Sequence, residues 1–170
     1  ETVKQQLMFA SQQVSNWDAL IELVNANRIG ALLYWHHQQG TIQLPKQYEL
    51  ALLSGYLKNK KVATVRDRWL TLLSERFKEA EIDHAYLKGT ALCHIAYPSP
   101  YLRSMDDIDI LVDQDRNDDV HKILLELGVT SKKPETAKEL GCHQWPIAFV
   151  WYEGHKFDLE IHTRVLSRRI

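Results

Sequence analysis

The sequence is poor in cysteine and in long apolar runs, and each shortage excludes a class of protein. Two of its 170 residues are cysteines, Cys93 and Cys142, and they lack the CxxC spacing, so we expect no disulfide framework. No basic stretch followed by an apolar one opens the chain, as it would in a signal peptide. No apolar run reaches the roughly 18 residues that cross a bilayer. We therefore expect a cytoplasmic protein with no membrane partner.

The net charge is also small, at −1 with histidine neutral. Proteins that bind duplex DNA usually carry an overall basic field, so we expect no duplex DNA partner. Apolar residues make up 45% of the chain and charged residues 25%, which is typical of a globular protein. The chain begins without Met and stops at Ile170, soon after a predicted strand. We therefore expect a core that is truncated at its C-terminus.

Several catalytic signatures are missing as well. The sequence contains no GxxxxGK[ST] phosphate loop, no dinucleotide GxGxxG, no HExxH and no Ser-His-Asp pattern. Cys142, His143 and His155 do not have the spacing of zinc ligands. Any chemistry must therefore come from a different set of side chains.

The first 80 residues predict helices, and residues 81–170 predict a mixed α/β core. Asn16 is placed to cap a helix over "WDALIELVNAN", a second helix stops at Gly40, and a third runs from about residue 46 to 80. The core pattern then alternates: strand 84–88, helix 90–97, loop 98–104, strand 107–112, helix 114–128, and strands 146–153 and 156–162 around a turn at Gly154. The expected fold class is α+β, with a mixed sheet and helices preceded by an N-terminal helical region.

The stretch "RSMDDIDILV" places acids directly before and inside an apolar strand. Side chains alternate across a strand, so Asp107 and Asp109 share one side while Asp106 has the opposite parity and lies nearest the loop. The later strand carries Asp158, Glu160 and His162 in the same alternation. If the two strands are neighbours, a third carboxylate joins the first pair.

Three crowded carboxylates cannot all stay ionised without a cation between them. Their oxygen ligands favour Mg²⁺, and two such ions can clamp a phosphoryl displacement. Each acid also has an ordinary alternative, as a surface ion pair or as the polar face of an edge strand. The case for a metal site rests on the occurrence of these acids together on two neighbouring strands.

A second element is "YLKGTAL". A strand that ends at Lys88, a tight turn at Gly89 and a helix capped by Thr90 would present free N–H groups and an ammonium to a phosphate. Arg103, four residues before Asp107, is placed to reach the same phosphates. The alternatives are an ordinary helix cap and a surface arginine.

Taken together, these motifs resemble the polymerase-beta-like nucleotidyltransferase superfamily, which has a Gly-Ser/Thr turn, paired strand aspartates and a third acid on a neighbouring strand. "YLKGTAL", "RSMDDIDILV" and "LEIHTR" are most similar to a bacterial group of uncharacterised nucleotidyltransferases. The resemblance implies a palm-like core. Thr90 stands where Ser is commoner, and the loop before Asp107 is longer than the shortest superfamily spacing.

The resemblance also implies roles. Asp107 and Asp109 would hold two Mg²⁺ ions (Mn²⁺ is an alternative), with Glu160 as the third acid and Asp158 as the second choice. Lys88, Gly89, Thr90 and Arg103 would bind the NTP phosphates. His162 would support Glu160 or touch the acceptor, unless it is merely structural.

The implied reaction moves a nucleoside monophosphate from an NTP, such as ATP, to an unidentified acceptor, which is a protein, an RNA or a small molecule. The alternative is a non-catalytic nucleotide-binding, regulatory or antitoxin-like interaction module. A metal phosphohydrolase would need histidine ligands beside the aspartates. Trp145, Trp151 and Tyr152 either stack on a base or pack in the core.

Overall fold

The computed structural model describes residues 2–131 and 148–164 of the chain. Within these residues lie six α-helices: α1 (Val3–Gln12), α2 (Trp17–Ala26), α3 (Gly30–Gln38), α4 (Lys46–Glu79), α5 (Lys88–Ile95) and α6 (Asn117–Glu126). Five strands accompany them: β1 (His84–Tyr86), β2 (Asp107–Val112), β3 (Val129–Ser131), β4 (Ala148–Tyr152) and β5 (His155–His162). No helix in these ranges is both long and apolar enough to cross a bilayer.

The chain divides into two compact units. One comprises Glu1–Ala63 with Tyr97–Ser104, and the other comprises Thr64–Ala96 with Met105–Ile170. The sequence suggests a boundary at residue 80, followed by a core that is truncated at its C-terminus. Both stay predictions.

The first unit is helical. The Asn16 side chain accepts a hydrogen bond from the Ala19 N–H at 3.0 Å and so caps α2, as predicted. Gly40, just past α3, has a φ of 61°, a conformation that ends a helix at little cost only for glycine. The core of this unit includes Val24, Ile42, Leu44 and Leu52.

The second unit is built on a five-stranded sheet in the order β1-β2-β5-β4-β3. β2 and β5 are parallel, whereas the β1–β2, β4–β5 and β3–β4 pairs are antiparallel. The sheet is therefore mixed, and the predicted α+β class is confirmed. β3, which the sequence did not predict, adds an edge strand.

Strand alternation gives the sheet one apolar and one polar face. Its apolar face contributes fully buried side chains to the core, together with a stripe along α4: Ile108, Ile110, Val150, Leu159 and Ile161 from the sheet, and Trp69, Leu73 and Phe77 from the helix. Residues of the opposite parity form the other face of the sheet, and they include the acids and two aromatic residues. We call it the polar face and define it as Asp107 and Asp109 of β2, Phe149 and Trp151 of β4, and Lys156, Asp158, Glu160 and His162 of β5.

The β4–β5 hairpin turns through two residues of positive φ, Glu153 at 46° and Gly154 at 77°. Such a pair is characteristic of a type I′ turn, whose twist matches that of the strands. The predicted hairpin around Gly154 is confirmed. Positions 146 and 147 of the first predicted strand lie outside the described residues.

Two predicted boundaries are wrong, one at the end of β1 and one at the start of α5. The first strand ends at Tyr86 rather than at Lys88, and the helix begins at Lys88 rather than at residue 90. Lys88 has a φ of 46°, so the residue of left-handed backbone conformation is Lys88 and not Gly89. The predicted helix 114–128 begins with a 3₁₀ turn, and α6 itself covers Asn117–Glu126.

The buried stripe of α4 leads to a prediction that compares a buried leucine with an exposed one. Leu73 is fully buried and Leu50, on the same helix, is 77% exposed. We expect Leu73→Ala to lower the free energy of unfolding by about 2–5 kcal/mol, because it removes core contacts and leaves a cavity. Leu50→Ala should change it by less than about 0.5 kcal/mol. Urea unfolding measures both, and equal losses would contradict the assigned core.

Candidate active site

The parallel pairing of β2 with β5 assembles the acids of the polar face. In the register of these strands Asp109 lies opposite Glu160, and Asp107 lies opposite Asp158. Neighbouring strands are about 4.8 Å apart, so each pair brings two carboxylates side by side. Four acids thus occupy a small patch at the centre of the sheet.

Asp109 is the buried member of this group, with only 1% of its side chain exposed. A buried carboxylate needs partners, because the loss of water around a charge is costly. Two groups converge on its Oδ1 atom: the Lys88 Nζ at 2.7 Å and the His162 Nε2 at 2.8 Å. Asp109 is therefore held in one position.

Glu160 shares both partners. Its Oε2 lies 3.1 Å from the Lys88 Nζ and 3.5 Å from the His162 Nε2. The potential ligand atoms of Asp109, Glu160 and His162 all lie within 4.8 Å of one another. The arrangement is a compact set of two carboxylates and one imidazole, bridged by one ammonium.

Lys88 has an unexpected place in this set. Sequence analysis predicts it as a phosphate ligand, whereas its ammonium here bridges Asp109 and Glu160. The hydrogen bond to Asp109 raises the pKa of the Lys88 ammonium to about 12, and the one to Glu160 adds to the effect. Lys88 supplies the positive charge that the crowded acids require. The sequence signal for this contact is slight, because it depends on the left-handed backbone of Lys88.

The start of α5 presents its backbone N–H groups without a side-chain cap. Its N-cap residue, Leu87, has no polar side chain, and the first turn contains no acid. The unpaired N–H groups of such a terminus favour an anion. Lys88 and Gly89 are the first two residues of this helix, so the predicted phosphate-binding turn lies beside the acids.

Thr90 is fully buried and does not cap the helix, in contrast to the prediction. Its Oγ1 accepts a hydrogen bond from the Asp109 N–H at 3.1 Å. The Leu87 N–H in turn donates to the Asp109 carbonyl at 3.0 Å. These two bonds fix the turn to β2 at Asp109. Phosphate binding by Thr90 stays a prediction.

The remaining predicted residues have other contacts or environments. Asp107 is half-buried on the polar face, two positions before Asp109, and is not a member of the 4.8 Å group. Asp158 forms an ion pair with Lys156. Arg103 belongs to the first unit, where its Nη1 donates to the Tyr97 hydroxyl at 3.3 Å. Their catalytic and phosphate-binding roles stay predictions.

A cavity of about 570 Å³ lies elsewhere in the second unit, between α4 and α5. It is lined by side chains such as Leu70, Tyr86 and Ala91, and none of the four acids of the polar face borders it. His94 lines it as well and lies 3.7 Å from Asp67 rather than beside the strand acids. This cavity is therefore separate from the strand acids of the polar face.

A mixed sheet with paired carboxylates beside an open helix N-terminus is consistent with the fold of nucleotidyltransferases. Comparison with known families gives the same class: the chain belongs to the uncharacterised nucleotidyltransferase family, whose sequence model matches residues 13–170. This match confirms the resemblance inferred from the motifs. Comparisons with curated proteins and with solved structures give no significant match. Membership of the family indicates transfer of a nucleoside monophosphate from an NTP.

The Thr90–Asp109 hydrogen bond generates one prediction. Thr90→Val keeps the shape of the side chain but leaves the buried Asp109 N–H without an acceptor, which should cost about 1–3 kcal/mol of stability. Amide hydrogen exchange at Asp109 should accelerate in this variant. Thr90→Ser, which retains the hydroxyl, should keep that amide protected. Equal protection in the two variants would show that the hydroxyl does not hold β2.

The bridging ammonium generates a second prediction. Lys88→Met leaves Asp109 and Glu160 without their shared cation, so we expect a lower melting temperature in EDTA and tighter Mn²⁺ binding. Because the Lys88 side chain is 56% exposed, solvent screening limits the gain to about 1 kcal/mol, or about fivefold in Kd. Lys156→Met, which removes an ammonium that pairs with Asp158 instead, is the matched control. Titration calorimetry measures the Mn²⁺ affinity of each variant. An unchanged affinity in Lys88→Met would contradict the bridging role of the Lys88 ammonium.

Proposed function

We propose that this chain is a metal-dependent nucleotidyltransferase that moves a nucleoside monophosphate from an NTP to an acceptor and releases pyrophosphate. The observation that carries the proposal is the pairing of buried Asp109 with Glu160 on parallel strands, beside the open N-terminus of α5. Family membership supplies the reaction class. A polymerase-beta palm-like core belongs to the same proposal.

The donor set fits a divalent cation. The carboxylates of Asp109 and Glu160 are the oxygen ligands that Mg²⁺ prefers, while the His162 imidazole is better suited to Mn²⁺. Asp107, with Asp158 as the second choice, offers further oxygens on the same face. We propose that these residues hold two ions. When bound, such ions neutralise phosphate charge and lower the pKa of the acceptor.

The Lys88 ammonium would then change partners. Asp109 and Glu160 would hold the cation with the same oxygens that now contact Lys88, and the Lys88 ammonium would then be available to the phosphates. Lys88 and the first N–H groups of α5 together form a site for the β- and γ-phosphates. Arg103 is proposed as a further phosphate ligand. The ion pair and the phosphate contact are thus two states of one side chain.

The remaining steps concern the acceptor. Its nucleophilic atom attacks the α-phosphorus, the bond from the α-phosphorus to the bridging oxygen breaks, and pyrophosphate leaves with that oxygen. We propose that Glu160 takes the acceptor proton and that His162, at 3.5 Å, orients it. His162 also contacts Asp109, which ties the two carboxylates together. The acceptor itself, whether protein, RNA or small molecule, is left open.

One observation favours the alternative of a non-catalytic nucleotide-binding, regulatory or antitoxin-like module. The Lys88 ammonium already bridges Asp109 and Glu160 and offsets part of their charge. A site satisfied by its own cation has no need of a metal to remain folded. In a regulatory module this ion pair would be permanent, and nucleotide binding would not depend on divalent ions.

Substitution of the strand acids tests the proposal. Asp109→Asn should abolish Mg²⁺-dependent NTP binding and reduce nucleotide transfer by at least about 100-fold, because a metal ligand is lost. Asp107→Asn should also reduce transfer. Asp106→Asn, whose side chain is exposed and precedes β2, is the matched control. Incubation of each variant with α-phosphate-labelled NTP and cell extract reports label transfer, and calorimetry reports binding.

The products separate the alternatives. Label on an acceptor together with released pyrophosphate supports the transferase. Nucleotide binding that is equal in Asp109→Asn and wild type, with no label transferred, supports the regulatory module. Release of inorganic phosphate without label transfer would instead indicate a phosphohydrolase, for which His162 offers the histidine beside the aspartates.

A further inference from the structure

Trp151 is an exposed aromatic ring on the same face of the sheet as the acids. Its side chain is 65% exposed, while its neighbour in the sequence, Val150, belongs to the apolar face and is fully buried. The sequence allows Trp151 either to pack in the core or to stack on a base, and its exposure excludes the core. Trp145, predicted in the same way, lies outside the described residues. Tryptophan is enriched at binding interfaces, because its ring offers a large apolar surface together with a polar N–H group.

The register places Trp151 in line with the acids. Trp151 lies opposite Lys156, and Phe149 lies opposite Asp158, the neighbour of Asp107. Lys156 is four residues before Glu160, which is about 13 Å along a strand, and β4 is about 4.8 Å to the side. The Cα atoms of Trp151 and Glu160 are therefore about 14 Å apart. A nucleotide with its phosphates at the acids reaches the indole with its base.

The second aromatic ring of this face is already occupied. The Lys156 ammonium lies 5.0 Å from the centre of the Phe149 ring and also forms an ion pair with Asp158. Among the described side chains of the polar face, Trp151 is thus the exposed ring that is available to a ligand. Lys156, which lies opposite Trp151 on β5, places a positive charge beside that ring.

The charge of the face selects the kind of ligand. Four acids stand against two lysines, Lys88 and Lys156, with the acids grouped on β2 and β5. This charge disfavours a nucleic-acid strand as the ligand of Trp151, because a strand carries a phosphate at every residue. A single nucleotide is accepted, because its phosphates lie at the cation site and its neutral base lies over β4.

We propose that Trp151 stacks on the base of the NTP, an inference that rests on the function proposed above. Every base offers a π-face, so this contact binds all four NTPs with little selectivity. Purines, with the larger ring system, gain more than pyrimidines. Trp151 is in this way a binding residue for the nucleoside part, and the acids with Lys88 bind the phosphate part.

The test compares NTPs with inorganic tripolyphosphate, which has the phosphates but no base. Calorimetry in Mg²⁺ measures each ligand on wild type, Trp151→Ala and Trp151→Phe. Loss of a base stack weakens binding by about 5-fold to about 150-fold. We expect that loss for the NTPs with Trp151→Ala, a smaller one with Trp151→Phe, and no change for tripolyphosphate.

Ile95→Ala is the matched control, since Ile95 is 79% exposed in the same unit but lies on α5. Circular dichroism verifies the fold of each variant. NTP binding that is unchanged in Trp151→Ala overturns the stacking inference while leaving the transferase intact. Absence of Mg²⁺-dependent binding of both NTP and tripolyphosphate to wild type overturns the proposed function instead. Trp151-dependent binding of single-stranded oligonucleotides, but not of NTPs, would also overturn the inference.

Discussion

The parallel pairing of β2 with β5 is the constraint on which the rest of the site depends. It places Asp109 beside Glu160 and Asp107 beside Asp158. A shift of the register by one residue would turn every acid of one strand into the core and every apolar residue out of it. The fully buried Ile110 and Ile161 on the opposite face fix the register through hydrophobic burial. The core thereby determines the geometry of the acids.

Crowding these acids creates an electrostatic problem that the turn before α5 resolves. The left-handed backbone of Lys88 brings its ammonium to Asp109 and Glu160, and Thr90 ties the same turn to the Asp109 backbone. One segment of a few residues therefore supplies the counter-charge, the strand anchor and an uncapped helix N-terminus. If a divalent cation takes over the counter-charge, the ammonium becomes available to phosphates. In the proposed function, this exchange would link metal binding to nucleotide binding.

Much of the sheet could be predicted from the sequence, because a strand with one buried face has a visible two-residue period. That period correctly separates Asp107 and Asp109 from Asp106 and locates β2 and the β4–β5 hairpin. The contacts of Lys88 could not be predicted, since they depend on a single unusual backbone angle and on a pairing between distant segments. The same long-range pairing aligns Glu160, rather than Asp158, with Asp109. Trp151 is similar, because the pattern alone does not show which side of β4 faces the core.

The central claim is that Asp109 and Glu160 hold a divalent cation in exchange for Lys88. A crystal structure with Mn²⁺ and a non-hydrolysable NTP analogue tests it most directly, because anomalous scattering locates the ion. The account predicts an anomalous peak on the carboxylates of Asp109 and Glu160, with the Lys88 ammonium moved from these oxygens to a phosphate. A bound nucleotide without a peak at these carboxylates, and with the Lys88 ion pairs intact, would contradict it.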